Sequence, residues 1–333
     1  MSGAKSELRK YATALLATIS LAAISLSAAS LPASAHEGHP QEAATGFLLS
    51  KFVDGKALDG FSPGTPDYGF TLEAILQIDS AGISVAQQKT AIDEVIKNQG
   101  VVASYLEPEG GLAVGLLAKY LFVAKILGST DAEFSGWLSK LETAVPADGA
   151  ITGFETSTFT LAWSVLALEA NGRSDLANLV AKHLATLAQS DGGFNSGDEF
   201  ATPGVGSSDA TGIVLQALAT QLDRGTPDAK AKLQSTIDAA AAFLASTQQG
   251  GNHWLAFGDV DVNGTAYAAM GLDAIGQDTE AIAIWIESQQ ASDGGIKTPW
   301  SQDSGDAFAT AQAISPMLQL SYVDLLAASA PNL

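Results

Sequence analysis

The chain has 333 residues, no cysteine and a formal net charge of −20. That charge repels phosphate backbones and anionic bilayers, which argues against nucleic acid as a partner. The missing thiol excludes disulfides and thiolate zinc sites, and 47% apolar residues argue against disorder.

Residues 1–35 read as an export signal. Lys5, Arg9 and Lys10 form the basic start, 11–31 the apolar run, and Ala33-Ser34-Ala35 a small-residue cleavage site. Cleavage there leaves 298 residues with a net charge of −22. No later stretch is apolar for the roughly 20 residues a membrane span needs. The expectation is a secreted or cell-surface protein. Residues 36–44 read as a flexible leader containing His36 and His39. Residues 45–333 read as one domain.

That domain carries a repeat. Glycine-containing turns begin at Asp59, Glu109, Asp148, Asp191, Gly250 and Asp293, 39 to 59 residues apart. This period signals stacked helix pairs, and the glycines supply the positive φ needed past a helix end. Helices before the turns are amphipathic: Leu176, Leu179, Val180, Leu184 and Leu187 share one stripe, and Leu233, Ile237, Ala241 and Leu244 another. Helices after the turns, at 70–78, 112–127, 159–168, 212–222, 266–275 and 307–320, are apolar nearly all round. They should be buried on both sides. The reading is therefore all-α: an α/α toroid, or (α/α)6 barrel, of six inner helices enclosed by six outer ones, the first outer helix at 45–52.

Small or acidic residues precede the inner helices, as capping requires. Examples are Thr65 and Asp67, Thr156 to Thr158, Ser207 to Asp209, Asp261 and Asn263, and Ser304 to Asp306. In a closed ring these N-termini share one mouth, where their N–H groups and dipole ends converge. The candidate ligand-binding residues there are Asp67, Tyr68, Thr158, Asp209 and Thr211. Asn263, Tyr267 and Asp306 complete the set from the last two units. Trp254 and Trp300 lie in loops before inner helices and can stack on a planar ligand. His253, beside Trp254, is the weak candidate for a metal or cobalt ligand.

QSDGGF (189–194) and QASDGGI (290–296) resemble the turns of squalene- and terpene-cyclase repeats and of protein prenyltransferases. SSDATGIVLQAL (207–218), NGTAYAAMGL (263–272) and GDAFATAQAI (305–314) are similar to the helical domain of the cobalamin carriers, intrinsic factor and transcobalamin. The first resemblance implies the toroid. The second implies a corrinoid such as cobalamin as a bound ligand, gripped against a covering β domain. Only 321–333 follows the last inner helix, so either a separate partner chain covers the mouth or the toroid binds something else.

Class II cyclases protonate an alkene with a carboxylic acid in the motif D-x-D-D-T-A. The matching stretch here is Asp261-Val262-Asn263-Gly264-Thr265-Ala266, in which Asn263 and Gly264 replace acidic residues. An amide supplies no such proton. Prenyltransferase-type zinc sites fail on the absent cysteine. The expectation is a non-catalytic protein that binds a small molecule or a cell-surface protein. The alternatives are a glycan-active (α/α)6 enzyme, using a pair among Asp67, Asp209, Asp261 and Asp306, or a degenerate cyclase.

Overall fold

Five of the six inner helices start where a polar cap meets an apolar run, and in a computed structural model the sixth, at 114–126, starts behind Ala113. The structure describes residues 39–52, 57–60, 62–82, 105–128, 134–153, 156–198 and 201–329. The stretch read as an export signal, His36, Phe61 of the first turn and the second outer position at 83–104 lie outside the described residues.

Six inner helices form the ring: α2 (Tyr68–Ser80), α3 (Val114–Ile126), α5 (Thr158–Ala170), α7 (Ser208–Ala219), α9 (Val262–Ala274) and α11 (Ala307–Met317). Each packs on the next, and α11 packs back on α2, which closes the ring. Outside them lie α1 (Pro40–Lys51), α4 (Phe134–Ala144), α6 (Ser174–Leu184), α8 (Pro227–Thr247) and α10 (Glu280–Ser288). Helix α1 begins at Pro40, so it takes in part of the stretch read as leader. Pro40 suits the first helical turn because its absent N–H has no helical partner there. A two-residue turn joins β1 (Trp254–Ala256) to β2 (Asp259–Asp261) just before α9, with Trp254 opposite Asp261.

One bond recurs between turn and inner helix. In four of the six units the backbone N–H of an apolar residue beside the turn donates to a threonine one helical turn inside the next inner helix. Leu58 donates to Thr71 (3.0 Å), Phe194 to Thr211 (2.9 Å), Trp254 to Thr265 (3.0 Å) and Ile296 to Thr310 (2.8 Å). The hydroxyls of Thr71, Thr265 and Thr310 in turn donate to the carbonyls of Asp67, Asp261 and Asp306. A buried N–H left unpaired costs about 1–3 kcal/mol, so threonine at this position couples each turn to its helix.

The two Asp-Gly-Gly turns are built alike. Asp191 accepts from the N–H groups of Gly193 and Gly206, and Asp293 from those of Gly295 and Gly305. Gly192 and Gly294 both sit at φ +91°. A Cβ on Gly192 would lie 2.9 Å from the Ala239 carbonyl oxygen in α8, and one on Gly294 would lie 2.6 Å from that of Ala43 in α1. The sixth turn thus seats on the first outer helix, with the Phe47 ring against Gly295 and Gln290 Nε2 donating to the Pro40 carbonyl at 2.7 Å. These contacts join the last unit to the first.

After the ring comes a helix that the repeat does not foreshadow, α12 (Tyr322–Ser329). It packs on the inner helices α3, α7 and α9. Tyr322 is fully buried there against Phe122 and Trp163, with ring centroids 6.1 and 5.1 Å away. Its N–H donates to Gln216 Oε1 at 2.9 Å. No helix among the described residues is long and apolar enough to cross a membrane.

Helices α7 and α9 approach backbone to backbone, and a Cβ on Gly271 would lie 2.5 Å from the Gly212 carbonyl oxygen. Gly271→Val therefore has to push the pair apart, an overpacking cost of about 1–3 kcal/mol or more. Thermal unfolding followed by circular dichroism should show a melting temperature lower by several degrees.

A second expectation concerns acid. Burial pushes the Asp79 carboxyl, at the end of α2, up to about 6 from its ordinary 3.8. A carboxyl raised on folding stabilises the native state below its unfolded value. That contribution is lost as pH rises through 6. Asp79→Asn should therefore raise the melting temperature at pH 7.5 and change it little at pH 3.5, which a pair of calorimetric scans checks.

Candidate functional site

The first turns of all six inner helices surround a cavity of about 650 Å³. Asp67, Gly69 and Phe70 come from α2, Gly115 and Leu116 from α3, Phe159 and Thr160 from α5. Asp209, Asn263 and Phe308 come from α7, α9 and α11. Tyr105 and Pro108, from the segment before α3, complete the rim, and the deeper wall holds Glu73, Lys119, Trp163, Tyr267 and Gln312.

Five of the six N-termini around this mouth carry their own acceptors, α3 behind Ala113 being the exception. Asp67 accepts from the Phe70 N–H, Asp261 from that of Gly264, Asp306 from that of Ala309, and Ser157 from that of Thr160. Asp209 Oδ1 accepts from the Ala210 N–H. Burial raises the Asp261 carboxyl above its usual range, its bond from Gly264 opposes that, and the nearby charge of Asp209 adds to the rise.

A charged group stands in the wall. Glu73, only 3% exposed, accepts from the hydroxyls of Tyr267 and of Tyr322 (3.0 Å for the latter) and pairs with Lys119 Nζ at 2.8 Å. Lys119 also lies 5.0 Å from the Trp163 ring centroid and 3.5 Å from the Gly69 carbonyl oxygen. Burial, then the charge of Glu73, pushes both tyrosine hydroxyls far above their ordinary range, so both remain donors. Three donors on one carboxylate satisfy a charge that would otherwise be expensive to bury. Helix α12 thus reaches the cavity wall through Tyr322.

Four of the residues expected at the mouth meet here: Asp67, Asp209, Asn263 and Tyr267. Asn263 donates to Gln312 Oε1 at 2.7 Å. The other expected residues sit elsewhere for physical reasons. Trp254 is a correction: its ring is buried and its indole N–H donates to the Leu244 carbonyl at 3.0 Å, so it anchors the turn to α8. Thr211 is likewise consumed by its bond to the Phe194 backbone. Tyr68 is buried edge-on against Tyr105 at 5.2 Å. Thr158 is buried, with its N–H donating to the Ser196 carbonyl. Asp306 is occupied as a cap. Trp300 is 77% exposed on the loop before α11 and does not line the cavity. His253 stacks on Trp285 at 4.8 Å with its Nδ1 against Asn252, and no group of three or more possible metal ligands gathers among the described residues.

Sequence reasoning missed Glu73, Lys119, Trp163 and Gln312. Glu73 and Lys119 did carry a signal: each is an ionisable residue inside a helix apolar nearly all round.

Neither a family model nor a curated protein matches this sequence. Solved structures do match, and they define the class as an α/α toroid. The type II terpene cyclase MstE from Scytonema has a TM-score of 0.60 at 16% identity, over 87% of this chain and 97% of its own. The unsaturated glucuronyl hydrolase of Bacillus sp. GL1 has 0.58 at 14%, over 84% and 94%. Haptocorrin, solved in complex with Cbi, has 0.59 at 12%, over 86% of this chain and 67% of its own. At such identities the likeness is one of fold.

The cavity wall makes a testable claim about stability. Glu73→Leu strands Lys119 and two tyrosine hydroxyls, and breaking a buried pair in this way costs about 3–5 kcal/mol. Glu73→Gln keeps an acceptor for the tyrosines, so urea unfolding should rank the variants native, Gln, then Leu.

Proposed function

We propose that the chain binds a small ring-shaped, hydroxyl-bearing ligand in this cavity, a saccharide of one to three rings, and holds it without turnover. One observation carries the reading: six aromatic rings (Phe70, Tyr105, Phe159, Trp163, Tyr267 and Phe308) line the same cavity as Asp67, Asp209, Asn263 and Gln312. Apolar faces with a few placed polar groups are what a ligand site of this size requires. The Asn263–Gln312 bond leaves a carbonyl and an amide of the pair for ligand hydroxyls.

Alkene protonation fits poorly. Asn263 offers an amide, and a Cβ at Gly264 would lie 2.1 Å from Asp261 Oδ2 and 2.4 Å from Ser208 Oγ, so no acid fits there. A whole corrinoid is larger than the cavity and would rest on the mouth under a cover. Phe257, fully exposed at positive φ on the β1–β2 turn, and Trp300 support a covering partner chain at that end. The start of the sequence supports an exported protein. A glycan-cleaving reading has a specific point in its favour, since Asp67 and Asp209 both line the cavity.

Titration calorimetry with short oligosaccharides tests the proposal. Binding is expected, with Phe308→Ala weakening it about ten-fold by removing a stacking face that is 41% exposed. Chromatography of the same mixtures should recover the sugar intact. Released product that disappears in Asp209→Asn would move the protein to the glycan-cleaving class. Failure of every saccharide, with cobalamin retained through gel filtration, would favour the corrinoid.

A further inference from the structure

Every charge on the cavity lining has a sign, and the signs do not balance. Among the described residues three carboxylates line it, Asp67, Glu73 and Asp209, against one cation, Lys119. That cation is already spent: its Nζ pairs with Glu73 at 2.8 Å and lies against the Trp163 face. Each helix N-terminus contributes about half a positive charge. Five of the six are met by side chains, with Asp67, Ser157, Asp261 and Asp306 capping and Asp209 in a first turn, and only α3, which starts behind Ala113, lacks such an acceptor. An anionic ligand would enter an aromatic, low-dielectric site and find no unpaired cation. A cationic one would find Asp67 and Asp209, each with one oxygen taken by a backbone N–H, and the faces of Phe70, Tyr105, Phe159 and Phe308 around them. Ring faces attract ammonium groups directly.

We infer that this cavity selects a ligand bearing an ammonium group, an amino sugar in preference to its N-acetylated form and to a uronate. The inference rests on the saccharide reading above and narrows it. It also sets the chain apart from the glucuronyl hydrolases that share its fold, whose name states an acidic sugar. The ammonium would sit against Asp67 or Asp209, with the sugar ring against Phe308 or Phe159. The negative charge of the whole chain adds attraction at longer range, and that part is screened by salt.

The test uses the full mature chain and four probes: a glucosamine dimer, the same dimer N-acetylated, a glucuronate-containing disaccharide, and tetramethylammonium. Calorimetry at pH 6 and 50 mM salt should give the glucosamine dimer at least a ten-fold lower Kd than the N-acetylated dimer, with the uronate weakest. Asp209→Asn and Asp67→Asn should each reduce that ratio at least three-fold. The Asn at position 67 can still cap its helix, so the fold is kept. Raising salt to 500 mM should reduce the ratio as well. Equal or tighter binding of the N-acetylated or uronate sugar overturns the inference while leaving the saccharide reading in place. Binding of tetramethylammonium with no sugar binding keeps the charge selectivity and overturns the saccharide reading. No binding by any probe overturns both.

Discussion

Ring closure is the constraint on which the structure depends. The sixth turn places Gly294 and Gly295 against Ala43 and Phe47 of the first outer helix, and α11 packs on α2. A side chain larger than hydrogen at either glycine would hold the last unit off the first. With the ring shut, each inner helix is covered by neighbours on two sides, and all but α2 also pack on a described outer helix. That accounts for the nearly all-round apolar sequences of the inner helices. It also brings the six N-termini to one end, where a cavity opens between their first turns.

Closing the ring leaves a centre that short side chains cannot fill. Part of it is filled by α12, whose Tyr322 packs against Phe122 and Trp163. Part of the wall is the ion pair of Glu73 and Lys119, braced by two tyrosine hydroxyls. A buried pair of this kind adds little stability relative to apolar packing. What it does supply is a fixed polar wall behind an aromatic mouth. Because Lys119 is committed to Glu73, the carboxylates nearer the mouth set the sign of the site.

Much of the fold was legible because it is written in local chemistry. The inner-helix spans followed from long apolar runs behind capping residues, and the turns from Asp-Gly-Gly. Asp67, Asp209 and Asn263 could be placed at the mouth because they stand at the starts of those helices, and Tyr267 follows one turn deeper. What was not legible depends on three-dimensional partners. Trp254 looked like a free loop ring, yet the short strand pair turns it onto Leu244 and Thr247. Thr211 looked like a mouth hydroxyl, yet the preceding turn needs its oxygen. Glu73 and Lys119 come from different helices, 46 residues apart, and the packing of α2 on α3 brings them together. Helix α12 has no counterpart in the repeat, so the period gave no sign of it.

The most direct test of the account is a crystal structure of the protein with a glucosamine dimer. The account predicts a sugar ring in the cavity, its face on Phe308 or Phe159 and its ammonium within hydrogen-bond distance of Asp67 or Asp209. Sugar density confined to the outer helices, or an empty cavity at saturating ligand, would contradict it.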